Sequence, residues 1–391
     1  MLVRAPTGDS LRLAFFFAAY FVVVGIQLPF WPVWLANKGL GPKEIGLLLA
    51  ISIAAKVIAN PVAAHLADRS GERRRPMLIL AVAAMASFAL FGGVDGFWAI
   101  LMVSVLFFMA WPPIMPLGES LTMITVHREN LDYGRIRLWG SLSFIAAAVI
   151  SGRVLVDEPA DIIFWMVLSA TAFAVIACAL LPDSRPERIT STQAPILLIL
   201  RNRQFLLFLL AAALIQGSHA VYYAFGTLHW QAVGYSDDLI GALWAEGVVA
   251  EIVLFALGSR LIRRLGPERL IALGGLAAAI RWTVTGATDA LPALICVQAL
   301  HAFSFGATHL GAIHFVARVV SPAMSATAQS LYSAAVMGLG LAIMLLLSGE
   351  LYERFGGGAF QAMAFLGLLG GWMALVLRQT ADHPPSPKVR E

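Results

Sequence analysis

Lys56, Glu119, Glu246, Glu251, Arg281 and His301 interrupt otherwise apolar runs, and Arg137 stands near the end of another. An ionisable side chain at membrane depth costs a few kcal/mol or more unless it faces water or a partner. Lys56, inside "LLLAISIAAKVIANP" at 47–61, is too deep to snorkel easily to an interface. Its ammonium suits two tasks: attracting a carboxylate substrate, or pairing with a carboxylate until protonation or substrate releases it. Glu119 follows "WPPIMPLGES", where Pro112, Pro113 and Pro116 remove backbone donors and disturb the helix. Its carboxylate is open to binding a polar substrate group, carrying a proton, or pairing with Lys56 or Arg137.

Glu246 and Glu251 lie five apart, about 140° around a helix, so only one of them faces a cavity directly. Carboxylates shielded from water are suited to loading and releasing a proton, and Glu251 is the first choice, with a salt bridge to Arg281 as the alternative. His301 reads either as part of the same machinery or as a hydrogen-bonded core residue, and His219, His309 and His314 carry the same ambiguity. Their spacing suggests no metal, and no cofactor is expected. Tyr222, Tyr223 and Trp139 are candidates for aromatic walls of a binding site or for interfacial anchors, whereas Trp230 reads as an anchor.

The elements that position these groups follow from composition. With 59% hydrophobic residues, 13% charged residues and mean hydropathy +0.80, the 391-residue chain is expected to be an all-α membrane protein. Apolar runs predict twelve transmembrane helices near 11–34, 42–67, 76–93, 97–124, 136–156, 161–181, 203–229, 236–260, 268–286, 290–317, 326–348 and 358–378. Most of the 27 Lys and Arg residues fall in alternate loops, which predicts that both termini are cytoplasmic. That dispersal also accounts for the pI of about 9.3 without nucleic acid. The first run lacks a convincing cleavage site and reads as the first helix. Two cysteines, Cys178 and Cys296, suggest neither a disulfide framework nor a metal cluster.

The chain also repeats itself. "GLGPKEIG" at 39–46 corresponds to "GYSDDLIG" at 234–241, and "DRSGERR" at 68–74 to "RRLGPER" at 263–269, both at an offset of 195 residues. A shared offset across a helix and both its flanks indicates duplicated, pseudo-symmetric six-helix bundles. The expected organisation is a bundle at 1–181, a linker at 182–202, a second bundle at 203–378 and a cytoplasmic tail at 379–391. Two similar bundles can rock about a central site, which is alternating access. The offset relates Lys56 to Glu251, so equivalent positions carry opposite charges.

"DRSGERR" resembles the loop signature of the major facilitator superfamily, with Ala64 where a glycine is usual. The resemblance implies that Asp68 and Arg69 are cytoplasmic gate residues. "YGRIRLWGS" at 133–141, "QGSHAVYYAF" at 216–225, "VVAEIVLFAL" at 248–257 and "RWTVTGATDALP" at 281–292 resemble the phenylpropionate permease family within that superfamily. That likeness implies proton-coupled import of 3-phenylpropionate or a related small molecule. A more distant likeness to lactose permease aligns Glu119 and Arg137 with its sugar-contacting residues, and Arg281 and His301 with its proton machinery. Ser304 stands where that permease has its proton-carrying carboxylate, which leaves coupling to another residue or removes it.

The expected function is therefore secondary transport of a small aromatic carboxylate, proton-coupled, with Lys56, Glu119, Arg137, Tyr222 and Tyr223 contacting substrate. Glu246, Glu251, Arg281 and His301 are expected to couple protons. A sugar or nucleoside symporter and a drug exporter stay open as alternatives. No catalytic triad order, metal spacing or phosphate-cradling loop supports an enzyme. The expected partners are substrate, protons and the lipid bilayer of a cell's inner membrane, with no nucleic acid, and the chain is expected to work as a monomer.

Overall fold

The computed structural model describes residues 8–184, 199–321 and 324–382. Most of the expected linker at 182–202, and the tail at 379–391 from residue 383 onward, lie outside the described residues. Among those residues there is no strand. The helices are α1 Gly8–Asn37, α2 Pro42–Ser70, α3 Arg74–Ala89, α4 Phe97–Ala110, α5 Ile114–Glu129, α6 Tyr133–Asp157 and α7 Ile162–Leu180. They continue as α8 Arg203–Gly217, α9 Ala220–Ala232, α10 Asp237–Thr285, α11 Leu291–Gln298, α12 Thr308–Val319, α13 Ser325–Tyr332, α14 Leu341–Phe355 and α15 Ala359–Asp382.

Ten helical spans among the described residues are long and apolar enough to cross a membrane. Two of them, Asp237–Thr285 with 49 residues and Thr327–Gln379 with 53, run to about 75–80 Å at 1.5 Å per residue, enough for two crossings each. Each is interrupted midway. Gly266 (φ 73°, ψ 168°) and Pro267 break α10, and a short turn of tight helix at Gly356–Gly358 separates α14 from α15. Length thus allows the twelve crossings read from the sequence.

The repeat is written in the backbone as well. Gly39 and Gly234 have φ of 82° and 92°, and Gly71 and Gly266 have φ of 68° and 73°. Each pair is separated by the repeat offset. Left-handed backbone at these turns favours glycine. At the start of α2, Pro42 occupies the first turn and the Glu44 carboxylate accepts from the Gly41 N–H at 2.9 Å, a cap that fixes where the helix begins.

Packing divides the chain into two units. The first draws on Met1–Ser191, Tyr222–Val248 and Leu345–Arg354. Its core is aromatic: Trp31 stacks on Trp34 at 4.5 Å, and Phe88, Phe91 and Phe107 pack around them. Residues 222–248 and 345–354 join this unit through small-residue contacts. A Cβ on Gly46 would lie 2.8 Å from the Gly349 backbone, and one on Gly241 would lie 2.4 Å from the Ala148 carbonyl. Close backbone approach of this kind is how helices associate in lipid. Lys43 closes the α2 contact with ion pairs to Glu350 at 3.3 Å and Glu353 at 3.0 Å.

The second unit draws on Thr192–Val221, Val249–Met344 and Phe355–Glu391. Here α8 packs on α15, where a Cβ on Gly370 would meet the Ala211 carbonyl at 2.8 Å. This unit also contains two widened helical segments with π-type hydrogen bonding, Ala302–Ala307 and Ser333–Gly340. Such segments concentrate at functional sites.

Candidate functional site

In the first unit, α4 and α5 separate at Trp111–Pro113, where the prolines withhold backbone donors. α5 then carries Glu119 toward α6. Glu119 and Arg137 meet, with Arg137 Nε 3.4 Å from a Glu119 carboxylate oxygen, and the Tyr133 hydroxyl donates to Glu119 at 2.8 Å. Tyr133 and Arg137 are four apart on α6, hence on one face. The guanidinium lies over the Phe21 ring at 4.2 Å and the Phe17 ring at 5.3 Å. Tyr133, Phe17 and Phe21 were not singled out from sequence, although "YGRIR" already spaced Tyr133 one turn from Arg137.

Lys56 is placed differently. The buried face of α2 runs through Ile45, Leu48, Ser52, Ala59 and Ala63, and Lys56 falls on that row, four past Ser52 and three before Ala59. Ile51, Ile58 and Val62 form the exposed apolar side of the helix. Lys56 is half-buried and makes no ion pair or hydrogen bond among the described residues. One turn further, the Asn60 side-chain carbonyl is buried without a hydrogen-bond partner. An ammonium and an amide carbonyl, each without a partner among the described residues, thus lie one turn apart on the inward face. Asn60 sits inside the quoted run, but a neutral amide gives a weak signal beside a lysine.

Tyr222 is buried at 2% exposure and stacks on Trp244 at 4.1 Å, with Trp230 edge-on at 5.9 Å. Tyr223 is half-buried and faces Trp244 at 6.3 Å. The Trp244 indole N–H donates to Thr227 at 3.0 Å, which fixes the ring. Trp230 is 1% exposed, so it is a core residue and not an interfacial anchor. Hydropathy alone does not distinguish a tryptophan at a helix end that packs inward. Trp139, by contrast, is 55% exposed. Glu246 is half-buried in the first stretch of α10, within the first unit.

Asp68 pairs with Arg73. Arg73 is itself buried and donates to the Ala67 carbonyl at 2.7 Å and to Ser120 at 3.3 Å. Arg69 is exposed and makes no ion pair among the described residues. Within the loop motif it is therefore Arg73 that ties α2 to α5.

The second unit assembles a buried polar chain. Arg281 is fully buried and donates to the Gln298 side-chain carbonyl at 3.2 and 2.7 Å. It also lies 2.9 Å from His301 Nδ1. A guanidinium can only donate, so His301 Nδ1 accepts. That leaves Nε2 facing the Glu251 carboxylate at 3.7 Å. Arg281 further donates to Ser304 at 3.5 Å, and Ser304 stands 3.2 Å from His219 Nε2. The other His219 nitrogen faces the Ile215 and Gln216 carbonyls, both at 3.2 Å. It therefore carries the hydrogen, and Ser304 donates to Nε2. Ser304 sits in the widened segment Ala302–Ala307. Arg281, His301 and Glu251 are thus brought together, and Gln298, Ser304 and His219 complete the chain.

A family model, described as the MFS_1 like family, matches residues 10–362 of this sequence. The chain belongs to that family. This member of the major facilitator superfamily is a multi-pass secondary transporter of small molecules, not an enzyme. It is 34% identical over 368 residues to the "Probable 3-phenylpropionic acid transporter" of Escherichia coli (strain K12), covering 91% of this chain and 94% of that one. It is 29% identical to the maltose permease of Geobacillus stearothermophilus, with 95% of each covered. The solved structure of the nucleoside transporter NupG has the same fold, with a TM-score of 0.81 at 16% identity over 96% of this chain and 98% of that one.

Proposed function

We propose that this transporter imports a small aromatic carboxylate such as 3-phenylpropionate, coupled to the entry of protons, across a cell's inner membrane. The observation that carries the reading is Lys56: an ammonium on the inward row of α2, with no ion pair among the described residues and with the Asn60 side-chain carbonyl, itself without a hydrogen-bond partner among them, one turn away. A substrate carboxylate supplies the missing charge. The half-buried Tyr223 ring, backed by the buried Tyr222 and Trp244 rings, offers an apolar surface suited to an aromatic ring. Glu119 and Arg137, already paired, contact polar substrate atoms or hold α5 against α6. Glu251, His301 and Arg281 form the proton-coupling group of the second unit, with Glu251 as carrier in place of the residue absent at Ser304; Glu246, in the first unit, is assigned a proton-coupling role of its own. Asp68, through Arg73, and Arg69 belong to the cytoplasmic gate. Both termini are assigned to the cytoplasm, and the working unit is one chain.

The test is uptake of labelled 3-phenylpropionate into proteoliposomes with and without an inward proton gradient, with Lys56→Ala beside the parent. Gradient-driven accumulation that the variant loses while remaining folded supports the reading. A folded parent that takes up maltose or a nucleoside and not 3-phenylpropionate would replace it with a neutral-substrate symporter. That second reading draws on the Glu119–Arg137 pair and on the maltose permease likeness.

A further inference from the structure

Tyr133 is the first residue of α6, and the turn ahead of it is tightly capped. Asn130 ends α5 with left-handed backbone (φ 52°, ψ 51°), and the Asp132 carboxylate accepts from the Arg135 N–H at 3.2 Å, which fixes where α6 begins. From that point the side chain of Tyr133 reaches Glu119 on α5. Its hydroxyl donates to one Glu119 carboxylate oxygen at 2.8 Å and also faces the Arg137 guanidinium, to which it can offer only an acceptor.

The other Glu119 oxygen lies 3.4 Å from Arg137 Nε, longer than the about 2.7–2.9 Å of a strong charge-assisted bond. An arginine and a carboxylate left to themselves close two parallel bonds. Here the phenol occupies one carboxylate oxygen, and that fork stays open. Arg137 is held from behind instead, over the Phe21 ring at 4.2 Å and the Phe17 ring at 5.3 Å. Gly140 makes the room, because a Cβ there would lie 2.8 Å from both Arg137 Nη1 and Phe21 Cδ2. The Arg137 and Glu119 side chains stay 30% and 33% exposed. The hydroxyl thus fixes the carboxylate, and the rings fix the guanidinium, each independently of the other.

We propose that Tyr133 is a positioning residue for substrate exchange: it keeps Glu119 on its hydroxyl, so that the Arg137 guanidinium can pass from Glu119 to a substrate oxygen. This role rests on the reading of Glu119 and Arg137 as substrate contacts. Opening an ion pair ordinarily strands a charge without a partner, which is costly away from water. With the hydroxyl in place, Glu119 keeps its shorter bond when Arg137 leaves. Without it, both Glu119 oxygens turn to Arg137, and substrate has to compete with a bidentate bridge.

The experiment compares Tyr133→Phe with the parent, each with and without Glu119→Ala. Calorimetry in detergent reads the Kd of 3-phenylpropionate, a thermal melt reads stability, and proteoliposomes read the maximal uptake rate of the parent and of Tyr133→Phe. Tyr133→Phe is expected to raise Kd about tenfold while the maximal rate holds, and to melt no lower than the parent, because the freed oxygen goes to Arg137. In the Glu119→Ala background the same change should move Kd by less than about twofold. An unchanged Kd in the parent background, or an equal rise in both, would overturn the proposal. So would a melting temperature several degrees lower, which would make the hydroxyl part of the scaffold. The melt needs no substrate, so it decides even for a parent that does not bind 3-phenylpropionate. Arg137→Gln separates the two levels. If it raises Kd while Tyr133→Phe is silent, only the role of Tyr133 falls. If it leaves Kd unchanged, the pair does not touch substrate and both fall.

Discussion

The stretch from Gly39 to Gly71 and its repeat from Gly234 to Gly266 share their turns and differ in their charges. Both open and close on glycines with left-handed backbone, and both bring a glycine, Gly46 or Gly241, into backbone contact with another helix. At equivalent positions in the middle, Lys56 has no ion pair or hydrogen bond among the described residues, whereas Glu251 faces His301 at 3.7 Å within a chain that continues to Arg281, Ser304 and His219. Duplication preserved what shapes the helix and released what does the chemistry. One copy is left with a charge that something else must satisfy, and the other with a charge already held in a network.

The strongest way to break the comparison is to remove the centre of that network. Arg281→Met should lower stability by about 3–5 kcal/mol, because it leaves the Gln298 carbonyl, His301 Nδ1 and Ser304 without the buried cationic donor they share. A thermal melt in detergent reads the loss. An unchanged melting temperature would mean that the network is not structural.

Lys56→Met should do the opposite to the scaffold. It removes from a membrane helix an ammonium that makes no ion pair among the described residues, so the melting temperature should rise, by a contribution of about 2 kcal/mol. Uptake of 3-phenylpropionate should fall on the order of 100-fold, equivalent to ~2.7 kcal/mol. A variant that loses stability together with transport would make Lys56 a structural partner and erase the contrast with Glu251. Glu251→Gln is milder. It should abolish the response to a proton gradient while substrate exchange across the same liposomes continues within about tenfold of the parent, a split expected of a residue that carries protons and does not bind substrate. If exchange and gradient response fall together, Glu251 is not a dedicated carrier.

Much of this was legible in the sequence, for identifiable reasons. Apolar runs mark membrane helices because lipid forbids unsatisfied backbone, and the offset between "GLGPKEIG" and "GYSDDLIG" marked a duplication whose turns the backbone angles repeat. Lys56, Glu251, Arg281 and His301 stood out because charge in hydrocarbon is costly. Neutral polar groups gave no such signal. Gln298 and Ser304 matter only because folding places them beside Arg281. The breaks at Ser218 and His219, and the widened turn around Ser304, are invisible to hydropathy because the residues on either side are equally apolar. Trp230 misled for the same reason, since an inward-facing indole and an anchoring one read alike.

Asn60 is where the contrast can be sharpened most finely. Its unpartnered carbonyl lies one turn from Lys56 on the same face. An amide there can donate to a bound carboxylate while Lys56 neutralises it, and the lone carbonyl then becomes available to a water or hydroxyl on the substrate. Asn60→Ala removes the neutral half of the pair and keeps the charge. A single neutral hydrogen bond is worth about 1 kcal/mol, so KM for 3-phenylpropionate should rise about fivefold with maximal rate unchanged. The same substitution should leave the melting temperature near the parent's, because the Asn60 carbonyl accepts no hydrogen bond among the described residues. A drop in stability with KM unchanged would place Asn60 in the scaffold, and Lys56 would then be the sole polar contact that α2 offers to substrate.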